Sequence, residues 1–167
     1  MTFTDTTTED ELINALNSED DLGAVIRAHI HIESALNNLI DSYFESPKHI
    51  DRMRLEFHEK VKLAQAIGLK NQYAKPLNTL GTIRNNFAHR LDTTLGSNEI
   101  DSLYKSFDGD DKQMIQGAYL RTNKSLKTKG PKSITKLKPK EQFTLIVTAM
   151  HQILIQAKKE LETSVGA

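Results

Sequence analysis

Cysteine is absent from this chain of 167 residues. That rules out disulfides, thiolate metal sites and a cysteine nucleophile, and it fits a reducing compartment such as the cytoplasm. Net charge is absent too, at +0 formally with a pI near 7.0. Bulk charge therefore argues neither for nor against a nucleic-acid partner, and only its distribution can speak. Long apolar runs are missing. The longest such stretch, Phe143 to Ile155, is interrupted by Thr144, Thr148, His151 and Gln152, so no membrane span is expected. The opening residues Met1 to Asp5 carry neither a basic region nor an apolar one, and no signal peptide is expected there.

Several motifs are lacking as well. There is no glycine-rich phosphate loop, no Gly-x-Ser-x-Gly elbow and no His-Glu-x-x-His. The six histidines, His29, His31, His49, His58, His89 and His151, form no close cluster with carboxylates. Neither a metal nor a cofactor is expected. No helix-turn-helix signature supports direct reading of DNA sequence.

What is present is helical periodicity throughout, with no run of β-branched residues at period two. The expectation is an all-α helical bundle in one domain over residues 1–167, with residues 1–10 frayed. A short first helix is placed at Asp10 to Leu16. A second runs from Glu19 to Phe44, capped by Ser18 and stopped by Ser46-Pro47; Val25, Ile32, Leu36, Leu39, Ile40 and Tyr43 share its apolar face, with His29 amid them and Glu33 at the edge. A third spans His49 to Ile67, with Leu55, Val61, Leu63, Ala64 and Ile67 facing inward and Gly68 capping it. A fourth starts near Asn71 or Pro76 and carries Leu77, Leu80, Ile83, Phe87 and Leu91. The last, from Pro139 to Thr163, repeats apolar residues every three or four positions.

Residues 92–139 change character. Acids dominate as far as Asp111, and then no Asp or Glu occurs between Lys112 and Lys140. One or two short helices (about 97–107 and 109–126) and a basic loop are expected. Arg121, Lys124, Lys127, Lys129 and Lys132 are candidates for tracking an RNA backbone; the alternatives are a solvated lysine-rich loop, or neutralisation by the acidic segment. Tyr119 is the run's only aromatic, so base stacking has little support.

The densest chemistry lies in Arg84-Asn85-Asn86-Phe87-Ala88-His89. Arginine stays charged and can fork onto a phosphate, while histidine exchanges a proton near neutrality. On a regular helix the two would project about 140° apart, so one copy alone does not bring them together. Asn85 can orient His89 from one turn away, and Glu33, with His29 beside it, can hold the Arg84 guanidinium. The plainer alternatives are an Arg84–carboxylate pair, a helix-end His89, a capping Asn85 and a simple His29–Glu33 contact.

The runs Leu63 to Leu69, Leu80-Gly81-Thr82-Ile83 and Arg84 to His89, with Ile30 to Leu36 upstream, resemble the mannitol-operon-repressor-like proteins of bacteria. More broadly, Arg84, Asn85 and His89 are similar to the motif of the HEPN superfamily. The resemblance covers roughly Ala24 to Leu91. It implies a bundle of four to five core helices, with about 92–139 as an insertion, and a homodimer in which each Arg84–His89 pair faces its mate. It also implies a cytoplasmic, metal-independent endoribonuclease of toxin or phage-defence type, with RNA as substrate and a possible antitoxin or regulatory protein as partner. Other members of that superfamily are catalytically dead, which leaves open a regulator of the mannitol-repressor type or a protein-binding dimeric scaffold.

Overall fold

Helix α2 (Asp21–Asp41) is the axis of the computed structural model, which describes residues 4–90, 93–125, 127 and 129–165. Its buried side chains, Ala24, Val25, Ala28, His29, Ile32, Ala35, Leu36, Leu39 and Ile40, recur at three and four residues, the spacing that turns one helical stripe towards a core. Around it pack α1 (Thr4–Ser18), α4 (Phe57–Ala66), α5 (Ala74–Ala88) and α8 (Pro139–Val165). A single turn, α3 (Lys48–Asp51), precedes α4; α6 (Ser97–Ser106) packs on α5 and α8, and α7 (Gly109–Ser125) on α8. Two 3-10 turns, Asn71–Tyr73 and Ile134–Lys136, complete the order. Among the described residues there is no strand, and no helix is long and apolar enough to cross a membrane.

The helix ends have local causes. Asp20, rather than Ser18, caps α2: its Oδ1 accepts the Gly23 backbone N–H at 2.7 Å, an arrangement worth about 1 kcal/mol. At the other end the Ser42 N–H reaches the Asn38 carbonyl and its hydroxyl reaches that of Leu39 at 2.7 Å. Tyr43 therefore lies beyond the helix and is 42% exposed rather than in the core. The expected third helix is broken into α3 and α4. Arg54 sits at φ 51, a left-handed conformation that helices do not carry, and α4 restarts where the Glu56 N–H donates to Glu59 Oε2 at 2.8 Å. Leu55 falls in this break and is half-buried.

Gly68 does cap α4. Its N–H reaches the Gln65 carbonyl and the Leu69 N–H reaches Ala64 at 2.9 Å, the paired bonds of a Schellman ending. Its φ of +125 demands glycine, and a Cβ there would also press on the movable end of Leu161, 2.7 Å from Cδ2. The first helix begins at Thr4, earlier than the expected Asp10. Leu91, expected on the α5 stripe, and Asp92, at the start of the 92–139 region, lie outside the described residues, as do residues 1–3 of the expected frayed end. The rest of that region joins the common core through Ile100, Leu103, Phe107, Ile115, Tyr119 and Ile134.

Candidate functional site

The end of α5 is built by its own periodicity. Leu77, Leu80, Ile83 and Phe87 are buried against α2, α4 and α6. The intervening Arg84, Asn85 and Asn86 are left facing solvent, and His89 is exposed just past the last turn. His89 is the C-cap residue, φ −100 and ψ −3, and its N–H reaches the Asn85 carbonyl at 3.3 Å. The helix is regular through Ala88, so Arg84 and His89 leave it on different sides. Among the described residues no hydrogen bond joins their side chains.

The Asn85 amide serves the arginine instead of the histidine. Arg84 Nη1 donates to Asn85 Oδ1 at 2.9 Å. The expectation that Asn85 orients His89 is corrected accordingly: the adjacent guanidinium takes the oxygen, and His89 receives only a backbone contact. Among the described residues no carboxylate lies within ion-pair distance of Arg84, so its forked donor edge is open to an anion.

Beneath this surface lies the second expected group. His29 is 6% exposed, and its ring packs on Phe57 with centroids 4.4 Å apart and planes tilted by 49°. Burial pushes its pKa below the ordinary range; Glu33, with Oε2 3.7 Å from Nδ1, opposes that shift, while the charges of Arg84 and Lys60 reinforce it. The lowered pKa favours the neutral ring. Glu33 does not reach Arg84 as expected. Its Oε1 accepts from Lys60 Nζ at 2.7 Å. Lys60 lies 27 positions along the chain on α4, and no local pattern pointed to it.

The basic candidates Arg121, Lys124, Lys127, Lys129 and Lys132 are all exposed. Lys127 takes φ 53 as the chain leaves α7. The loop then folds back: Tyr119 Oη donates to the Pro131 carbonyl at 3.0 Å, Gln116 Nε2 to the Lys132 carbonyl at 2.9 Å, and the Ile134 N–H to Gln116 Oε1 at 3.1 Å. Tyr119 is 6% exposed, so its ring is closed to a stacking base. Among the described residues no ion pair ties these five cations to the acidic segment, and no group of three or more acids and histidines is placed to hold a metal.

One feature escaped the sequence reading. An open groove of about 1070 Å³ runs along α8, between α1 and α7. Ile153, Ala157 and Leu161, expected in the core, are half-buried along it. The signal was present in the sequence: α8 has a second apolar row, Leu145-Ala149-Ile153-Ala157-Leu161, beside the one that packs inward.

No protein-family model matches the chain, and neither a curated protein nor a solved structure matches it.

Proposed function

We propose that two copies of this chain form a metal-independent endoribonuclease of the HEPN type, with the Arg84–His89 pairs of both copies in one site. The observation that supports it is the state of Arg84. Its guanidinium is exposed, has no carboxylate within ion-pair distance among the described residues, and is steadied by Asn85 at 2.9 Å, five residues before an exposed imidazole. Glu33, the acid expected to hold Arg84, is bound to Lys60 instead.

In this reading the RNA 2′-hydroxyl attacks the adjacent phosphorus and gives its proton to one His89. The bond to the 5′-oxygen breaks, and that oxygen takes a proton from the second His89. Both Arg84 side chains donate to the non-bridging oxygens as negative charge gathers there. The products are a 2′,3′-cyclic phosphate and a 5′-hydroxyl. A cytoplasmic toxin or defence role, restrained by an antitoxin, belongs to the same proposal.

Incubation of mixed RNA with the protein in excess EDTA tests it, with product ends mapped and Arg84→Ala and His89→Ala compared. Intact RNA, or variants that cut as well as the parent, would end this reading. The groove along α8 favours a second one, a non-catalytic regulator or scaffold that acts by binding protein; stable partner binding without cleavage would select it.

A further inference from the structure

α8 has apolar residues on two faces but only one face in the core. Phe143, Ile146, Val147, Met150 and Leu154 are buried. Leu145, Ala149, Ile153, Ala157 and Leu161 recur every fourth residue, large alternating with small, and stay partly buried. From Gln142 to Ala157 the helix carries no charge at all. Uncharged polar residues, Thr144, Thr148, Gln152 and Gln156, line the groove beside that row. The outer face of the helix is the floor of the 1070 Å³ groove, walled by Ile13 of α1 and by Met114 and Arg121 of α7. The floor runs from Glu141 to Ser164, roughly 35 Å at the helical rise. A fourth-residue row of alternating size is the ridged surface on which another helix seats.

Charge identifies the visitor. Arg121 lines the α7 wall; Lys124 follows one turn on along α7, and Lys127, Lys129 and Lys132 lie on the loop beyond it that Tyr119 and Gln116 hold against α7. All five are exposed, and no acid interrupts the sequence from Lys112 to Lys140. Among the described residues that line it, the acids are Glu141 and Glu160, towards the two ends of the floor. Nucleic acid would use these cations but not the apolar row of the floor, and of the two tyrosines that line the groove Tyr119 is closed to bases and Tyr73 is half-buried. A helix with one apolar and one acidic face uses both.

We propose that this groove binds an amphipathic α-helix of a partner protein, apolar where it meets α8 and acidic along the flank that meets α7. The inference is independent of Arg84 and His89 and stands or falls apart from RNA cleavage.

The test uses the full chain and three fluorescent probes: a designed Leu/Ala-striped helical peptide with glutamates on its flank, the same peptide with lysines there, and a single-stranded RNA oligomer. The glutamate peptide is expected to bind in fluorescence anisotropy, and the lysine peptide at least about tenfold more weakly. Rising salt weakens the complex. Met114→Glu and Arg121→Glu each loosen it by about tenfold or more; Met114 is 45% exposed and Arg121 is exposed, so both variants fold. The proposal is overturned if the glutamate peptide fails to bind, if the lysine peptide binds equally, or if the two variants bind unchanged. RNA binding lost on Arg121→Glu, with no peptide binding, would reassign the cations to nucleic acid. Self-association lost on Met114→Glu, again with no peptide binding, would assign the groove to a second copy.

Discussion

Lys60 Nζ lies 2.7 Å from Glu33 Oε1, and this pair joins α4 to α2 beside His29, the ring that also feels the charge of Arg84. The two side chains are 20% and 31% exposed, so the pair is partly shielded and contributes about 1 kcal/mol to stability. Its larger consequence is for charge. Arg84 is near enough to depress the His29 proton affinity, and its exposed guanidinium has no ion-pair partner among the described residues.

Lys60→Met should therefore release Glu33 towards Arg84. Affinity for a non-cleavable RNA is expected to fall about tenfold, and Glu33→Gln added to Lys60→Met should restore it. An unchanged affinity in the single variant would show that Glu33 and Arg84 do not compete.

Asn85→Ala removes the acceptor 2.9 Å from Arg84 Nη1. The guanidinium regains rotational freedom, so RNA cleavage should slow by about tenfold while the melting temperature barely moves. Arg84→Lys, which keeps charge but loses the fork, should be worse than Asn85→Ala.

His29 makes stability depend on pH. Burial first, then the charges of Arg84 and Lys60 against that of Glu33, hold its folded pKa below the ordinary 6.5. The unfolded chain thus takes up the proton more readily than the folded one. Stability is complete above 6.5 and declines as pH falls from there towards the lowered folded value. Thermal melts between about pH 7.5 and pH 5 should show this loss, and His29→Leu should flatten it.

Gly68→Ala should destabilise the fold by about 1–3 kcal/mol. The new Cβ would stand 2.7 Å from Leu161 Cδ2 at a φ of +125. Urea unfolding measures the loss, and Leu161→Ala beside it should relieve the contact but not the backbone strain.

Asp111 carries the opposite sign. It is 6% exposed; burial raises its pKa above 3.8, the hydrogen bond from Gln72 opposes that, and Asp108 and Asp110 add to it. A raised folded pKa means stability that is whole below 3.8 and lost as pH rises through the folded value. Asp111→Asn keeps an oxygen for Gln72 Nε2, now 2.9 Å away, so its urea midpoint at pH 7 should exceed the parent's, with the gain shrinking in acid.

Much of the architecture was legible because helices announce themselves locally. The buried stripes of α2 and α5, the Gly68 ending and the Pro139 start of α8 all rest on neighbours within four residues. The misreadings are local as well. Arg54 gives no sequence hint that it will turn left-handed, so α3 and α4 read as one helix. Ser18 and Asp20 are both good caps, and only the chain path chose Asp20. At the site, the exposure of Arg84 and His89 followed from the positions of Ile83 and Phe87, but the partners did not. Asn85 has two neighbours within reach, and its backbone, not its amide, went to His89.

By itself the amino-acid order determined that this chain is helical and that Arg84 and His89 stand at one helix end, since periodicity and capping act over a few residues. Tertiary packing decided that Glu33 answers to Lys60 and that one apolar face of α8 stays open. Both outcomes depend on segments brought together from far along the chain, where charge and shape, not spacing, choose the neighbour.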